Sequence, residues 1–422
     1  MSTPTRSGTG PSPQATGQVT LRELVRDRPF LLYLIGQATS GAGSALSSIA
    51  LVFAVLSISR SAGSVGLVLL ASRVPGIALT LAGGVIADRW SRKRIAVGAD
   101  ATRTGLQLAT GILLLTAHAT VLDLAALQLV SGSASAIFAP AAGALLADVA
   151  PRGQVRRASS LLGITTAVMQ TGGLAVSGVL VALAGPGISL LIDSATFALS
   201  TTTLALIQSA EGAPRRATSA LLDLREGWRA VTRHRWLMIS SIRETIINVL
   251  VLSPVFVLGP IIAKDHLGGA PAWSAIALGY VIGNLAAAHI TYHWAPRRPV
   301  LAAFIVSIAL VPMLALLGIA APLWLIIPAA GLAGAETTIY NTLSTATLQA
   351  NLPKETLGRA TAITNIGSSA LVPIGMGLAG LIAAAIGTST VMLGGAALVL
   401  ITTAICIPLP ATHTHLELDR QP

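Results

Sequence analysis

Three carboxylates stand inside apolar runs of this chain, where a charge is costly and a proton can be taken up or given away. Glu336 lies near the middle of one run, in Gly331-Leu-Ala-Gly-Ala-Glu336-Thr-Thr-Ile-Tyr340-Asn341. Glu244 follows Arg243 about two turns into a second run, and Asp193 sits about two turns from the end of a third. An ionisable side chain inside a membrane span is a functional candidate by default. A carboxyl taken out of water favours its neutral form, so it can carry a proton in a dry state and release it in a wet one. Each acid also has a plainer reading. Glu336 can be a structural carboxyl hydrogen-bonded to a neighbouring helix. Arg243 and Glu244 can mark a vestibule, since arginine reaches towards water along its stem. Asp193 can be a cap or an interhelix bond. Helical spacing puts Glu336, Tyr340 and Asn341 on one face. Gln37, Arg73, Asn248, Tyr340 and Asn341 are the candidates for lining a small-molecule cavity. Arg73, mid-run, is expected to pair with a carboxylate. Asp100 and Arg103, three apart, are expected to form a structural pair.

A second cluster lies between two runs, in Gly84-Val-Ile-Ala-Asp88-Arg89-Trp-Ser-Arg92-Lys93-Arg94. It holds five of the chain's charges, although Asp, Glu, Lys and Arg make up only 10% of the residues. Cations anchoring a loop account for the arginines and the lysine. They do not account for Asp88, Gly84 or the tight spacing.

The elements that must position these groups follow from composition. The chain has 422 residues, 53% of them hydrophobic, and a mean hydropathy of +0.76. A soluble domain cannot bury that much apolar surface, so the chain reads as an integral membrane protein. Cutting at charges and at Gly/Pro punctuation leaves twelve runs of roughly membrane-spanning length, six over 30–208 and six over 236–409. In lipid they must be helices. Of the 27 lysines and arginines, all but Arg60, Arg73, Arg103, Arg243 and Lys264 fall in the tails and alternate loops, which places both termini in the cytoplasm of a cell-membrane protein. The expected plan is a cytoplasmic tail (1–28), a six-helix bundle (29–208), a cytoplasmic linker (209–235) with an amphipathic surface helix, a second six-helix bundle (236–410) and a tail (411–422). A shift of 202 residues lays Ser177–Gly185 over Ala379–Gly387, Pro151 over Pro353 and Arg157-Ala158 over Arg359-Ala360, so the halves read as repeats.

Several functions are disfavoured. The net charge of +11 sits in short loops almost without aromatics, which argues against nucleic acid. One cysteine, Cys406, makes neither an intrachain disulfide nor a thiolate metal site. The three lysines follow Arg92, Ala263 and Pro353, so no Gly-Lys-Ser/Thr phosphate loop exists. No cofactor, metal site or enzymatic constellation is expected, and the chain reads as a monomer.

Gly84-x-x-x-Asp88-Arg89-x-x-Arg92-Lys93, set between the second and third runs of a six-plus-six plan, resembles the signature loop of the major facilitator superfamily. Phe30 to Gln37, Phe138-Ala-Pro140, Ile192-Asp193 and Gln349-x-x-x-Pro353-x-x-x-x-Gly358-Arg359 resemble its macrolide-efflux-type branch. Ser91 departs from the family's usual glycine. Gln128 to Gly132 lacks the usual arginine of the fourth helix, and Gly172 to Gly178 lacks the proline of the antiporter motif. The resemblance implies a fold of twelve transmembrane helices in two bundles. It also implies proton-coupled efflux of an amphipathic small molecule by alternating access, with Asp88 as a latch that docks on the N-terminus of helix 11 and Gly84, Arg89, Arg92 and Lys93 organising it. A carboxylate suits a helix N-terminus, where N–H groups are free and the dipole is positive. A nutrient importer and a non-transporting sensor or assembly protein of the same fold are the alternatives.

Overall fold

The computed structural model describes residues 21–87, 91–151, 153–208, 228–229, 231–294, 296–353, 356–358, 360–361, 363–364 and 370–409. Every regular element among them is helical. A short α1 (Leu21–Arg26) precedes α2 (Arg28–Ile58), α3 (Ala62–Ala87), α4 (Arg92–Leu115), α5 (Val121–Val149) and α6 (Val155–Leu206). Then come α7 (Arg235–Leu267), α8 (Ala270–His293), α9 (Pro299–Gly318), α10 (Leu323–Asn351), α11 (Val372–Ile386) and α12 (Thr388–Cys406). Eight of these are long and apolar enough to cross a bilayer. α6 turns over at Gly185, whose φ of 81° and ψ of 166° suit a residue without Cβ. Pro186 opens the return helix, where its missing N–H costs nothing.

Irregularities in two helices trace to prolines. Pro254 cannot donate to the carbonyl of Leu250, and α7 widens to a π-turn over Asn248–Leu252. Pro312 cannot donate to Ile308, and α9 tightens to a 3₁₀ turn over Ser307–Ala309.

The buried core has three parts. Phe30, Tyr33, Phe138, Leu145 and Leu204 belong to one confined to residues of α1–α6 and their ends. Trp236, Phe304, Tyr340, Leu343 and Cys406 belong to a second confined to residues 231–406. Both lie towards the end of the molecule where α2 begins and α12 finishes. The third, towards the opposite end, joins the two helix groups: Ile49, Phe53, Val65 and Val181 share it with Val251, Leu258, Trp273 and Met376. There the backbones touch. Gly66 packs on the carbonyl of Met376, Gly380 on that of Ala62, and Gly178 on that of Ala270, each too close to admit a Cβ. Lys264 donates its ammonium to the carbonyl of Leu56. That carbonyl lies in the last turn of α2, where acceptors lack helical partners and the dipole is negative.

Candidate functional site

α7, α9 and α10 enclose a cavity of about 270 Å³. Arg243, Glu244 and Asn248 line it from α7, Ser307 from the 3₁₀ turn of α9, and Glu336, Thr337, Tyr340 and Asn341 from α10. A smaller cavity of about 80 Å³ adjoins it, and Glu244 and Asn341 line both. Six residues singled out from the sequence thus meet in one place: Arg243, Glu244, Asn248, Glu336, Tyr340 and Asn341.

The two acids differ in their partners. Glu336 is 6% exposed. Its Oε1 accepts from the Ser307 hydroxyl at 3.0 Å and its Oε2 from the Thr337 hydroxyl at 3.2 Å. Ser307 in turn accepts from the Arg243 guanidinium at 3.3 Å, and Thr337 from the Tyr280 hydroxyl of α8 at 2.9 Å. Arg243, 3% exposed, also donates to Thr403 of α12 at 2.9 Å and stacks over the Phe304 ring at 4.7 Å. It is therefore interior rather than reaching into a vestibule. The Glu244 carboxylate has no hydrogen bond or ion pair among the described residues. Ser307, Thr337, Thr403, Phe304 and Tyr280 were missed by sequence reasoning. The one signal for them was Pro312, which forces the irregular turn that carries Ser307.

The first helix group holds its own buried charges. Arg103 donates to Asp100 at 3.0 Å as the spacing implied, and its guanidinium lies 3.8 Å from the centre of the Phe197 ring. The Ser200 hydroxyl of α6 donates to the other oxygen of Asp100 at 2.6 Å. Arg103 and Gln37 line a wider cavity of about 510 Å³ with Ser40, Ser135, Phe138 and Gln170. Asp193 lies apart from it, fully buried, where Gln107 of α4 donates at 2.7 Å. That is the interhelix bond of its plainer reading. Arg73 is exposed on α3, and no ion pair holds it among the described residues.

Of the signature loop, Gly84 lies in α3, while Asp88 and Arg89 lie outside the described residues. Arg92 is tied to both carboxylate oxygens of Asp148 at 2.9 Å, and Lys93 donates to the carbonyl of Ile207 at 2.7 Å. Both contacts stay within α4, α5 and the end of α6. Most of the expected linker helix also lies outside the described residues.

The model of a family described as transmembrane secretion effector matches residues 24–420, nearly the whole chain. The chain belongs to that family, a branch of the major facilitator superfamily. Among facilitators of this branch, the chain is 26% identical over 412 residues to the multidrug efflux pump Tap of Mycobacterium tuberculosis, covering 93% of this chain and 96% of the relative. It is 23% identical over 390 residues to macrolide efflux protein A of Streptococcus pyogenes, covering 89% and 95%. Solved facilitator-like structures share the fold. A bacterial homologue of the iron transporter ferroportin in its inward-facing state matches with a TM-score of 0.72 at 15% identity, over 90% of this chain and 97% of that one. The nucleoside transporter NupG matches at 0.71 and 13% identity, over 90% and 97%.

Proposed function

We propose that this facilitator exports amphipathic small molecules, macrolide-like antibiotics among them, in exchange for protons. The observation that carries this reading is the cavity between α7, α9 and α10, where two acids and an arginine stand together inside a membrane protein. Its relatives' names, multidrug and macrolide efflux, supply the substrate class.

In this reading twelve helices cross the cell membrane as two six-helix bundles, 29–208 and 236–410, with the linker 209–235 and both tails in the cytoplasm, and the chain acts as a monomer. The end where the two cores are separate then faces the cytoplasm, and the conformation is inward-open. Substrate enters from that side against Gln37, Arg103 and Phe138 of the first bundle and Asn248, Tyr340 and Asn341 of the second. A proton leaves the acid pair to the cytoplasm. Closure at that end, with Asp88 latching on helix 11, breaks the contacts at the far end. Substrate then leaves outward and a proton enters.

The test is uptake of erythromycin into inverted vesicles containing the purified protein. Accumulation is expected when the vesicle interior is made acid, with collapse on adding a protonophore. Uptake indifferent to the pH gradient would refute proton coupling. Accumulation in right-side-out vesicles would point instead to an importer.

A further inference from the structure

We propose that Glu244 carries the exchangeable proton, and that Arg243, by holding Glu336 ionised, limits the site to one proton per cycle. This rests on the proton-driven exporter described above and adds the carrier and the count. It moves the proton from Glu336, the more central acid in the sequence, to its neighbour across the cavity.

The direction of the hydrogen bonds carries the assignment. A guanidinium has no acceptor, so Arg243 must donate to Ser307, whose own proton then has Glu336 at 3.0 Å and the Ala303 carbonyl at 3.2 Å to choose between, the carboxylate being the nearer. The Tyr280 hydroxyl donates to Thr337, whose own proton reaches the other Glu336 oxygen and the Ala333 carbonyl at the same 3.2 Å. Both oxygens of Glu336 thus face hydroxyl donors, the setting that suits an ionised carboxylate, with the Arg243 charge one hydroxyl away. Arg243 and Glu336 form a neutral set joined through Ser307. Glu244 is then the one charge in excess. Tyr340 on α10, Tyr280 on α8 and Cys406 on α12 are the other titratable groups near this set, and all are ordinarily neutral. Among the described residues, no further charged side chain lines either cavity.

An uncompensated carboxylate shut away from water is costly inside a membrane protein. Glu244 must take a proton whenever the site closes, and can lose it whenever a cavity opens. Arg243 Nε, a buried donor without a partner among the described residues, and the Tyr340 hydroxyl belong to side chains that line the same cavity as Glu244. In the outward-open state the Glu244 carboxylate binds a proton from outer water. In the inward-open state the same O–H bond breaks and the proton passes to the cytoplasm. One proton moves inward per turnover, and no other bond is made or broken.

The test needs no substrate. Infrared difference spectra of the purified protein, taken from alkaline to mildly acid pH, report protonated buried carboxyls. Asp100 and Asp193, in the other helix group, give a background common to all variants. Wild type should show one titrating carboxyl from this site. Glu244→Asp should move its band, and Glu336→Asp should leave it in place. Arg243→Gln frees Glu336 to protonate and should roughly double the band, while Arg243→Lys should keep it single. A band that moves in Glu336→Asp, or one that does not grow in Arg243→Gln, overturns the proposal. If Arg243→Gln does not fold, the two aspartate variants still decide the carrier. In vesicles clamped at zero potential, each pH unit should sustain about a tenfold erythromycin gradient, as one coupled proton requires. Spectra as expected without any pH-driven gradient would leave the assignment standing and overturn the exporter reading.

Discussion

Asp100 and Asp148 each pair with an arginine, and the loss of each should cost a different amount. Asp100 is fully buried, and its partner Arg103 lies against Phe197. Asp100→Asn removes the carboxylate that this cation is bonded to and should destabilise the protein by about 3–5 kcal/mol. The pair between Asp148 and Arg92 keeps side-chain exposures of 15% and 22%, so Asp148→Asn should cost about 1 kcal/mol or less. Thermal unfolding in detergent compares them, and equal shifts would show that burial does not set the difference. The close pair was legible, because residues three apart on a helix face each other. Arg73 was not. Its place mid-helix suggested a carboxylate partner, but spacing along one helix does not say what other helices bring beside it.

Close helix contact is the matter at the next scale. Gly283 meets the backbone of Gly331, and Gly334 that of Tyr280, so α8 and α10 touch along a seam with no room for a side chain. Gly334→Leu should drive these helices apart, cost about 1–3 kcal/mol and reshape the cavity beside Glu336. Gly105 on α4 faces open space, and Gly105→Ala should be neutral or slightly stabilising. Melting temperatures of the two variants check this, and similar losses would remove the seam from the account. Abundant glycine announced close packing of some kind, but not its partners. Prolines carry more, since Pro254 and Pro312 sit two and three residues beyond an irregular segment at the cavity wall.

Across the whole molecule, one end is joined by a shared core and the other is divided between two. Lys264 ties α7 to the last turn of α2 at the joined end. Lys264→Met should release that end and raise the outward-open population. A reporter cysteine at Leu70, beside Gly377 of α11, placed in a Cys406→Ser background, should then react faster with a membrane-impermeant thiol reagent from outside. Unchanged labelling would mean that the apolar core alone keeps the end shut. Asp88→Asn acts at the opposite end in the proposed cycle and should slow flux more than it weakens binding, by biasing the same equilibrium. A tenfold loss of binding with unchanged flux per bound substrate would exclude a latch.

By itself the sequence determined the helices, their residence in a membrane and the presence of acids inside apolar runs. These depend on properties local to a stretch of chain: hydropathy, helical period and the geometry of glycine and proline. Tertiary structure alone decided which acid is satisfied and which is free. Arg243 meets Ser307 across 64 residues and Thr403 across 160. Nothing in the apolar runs that carry those hydroxyls marks them as partners. A charge inside a membrane is governed by the donors that reach it, and those donors arrive from helices that only folding brings together.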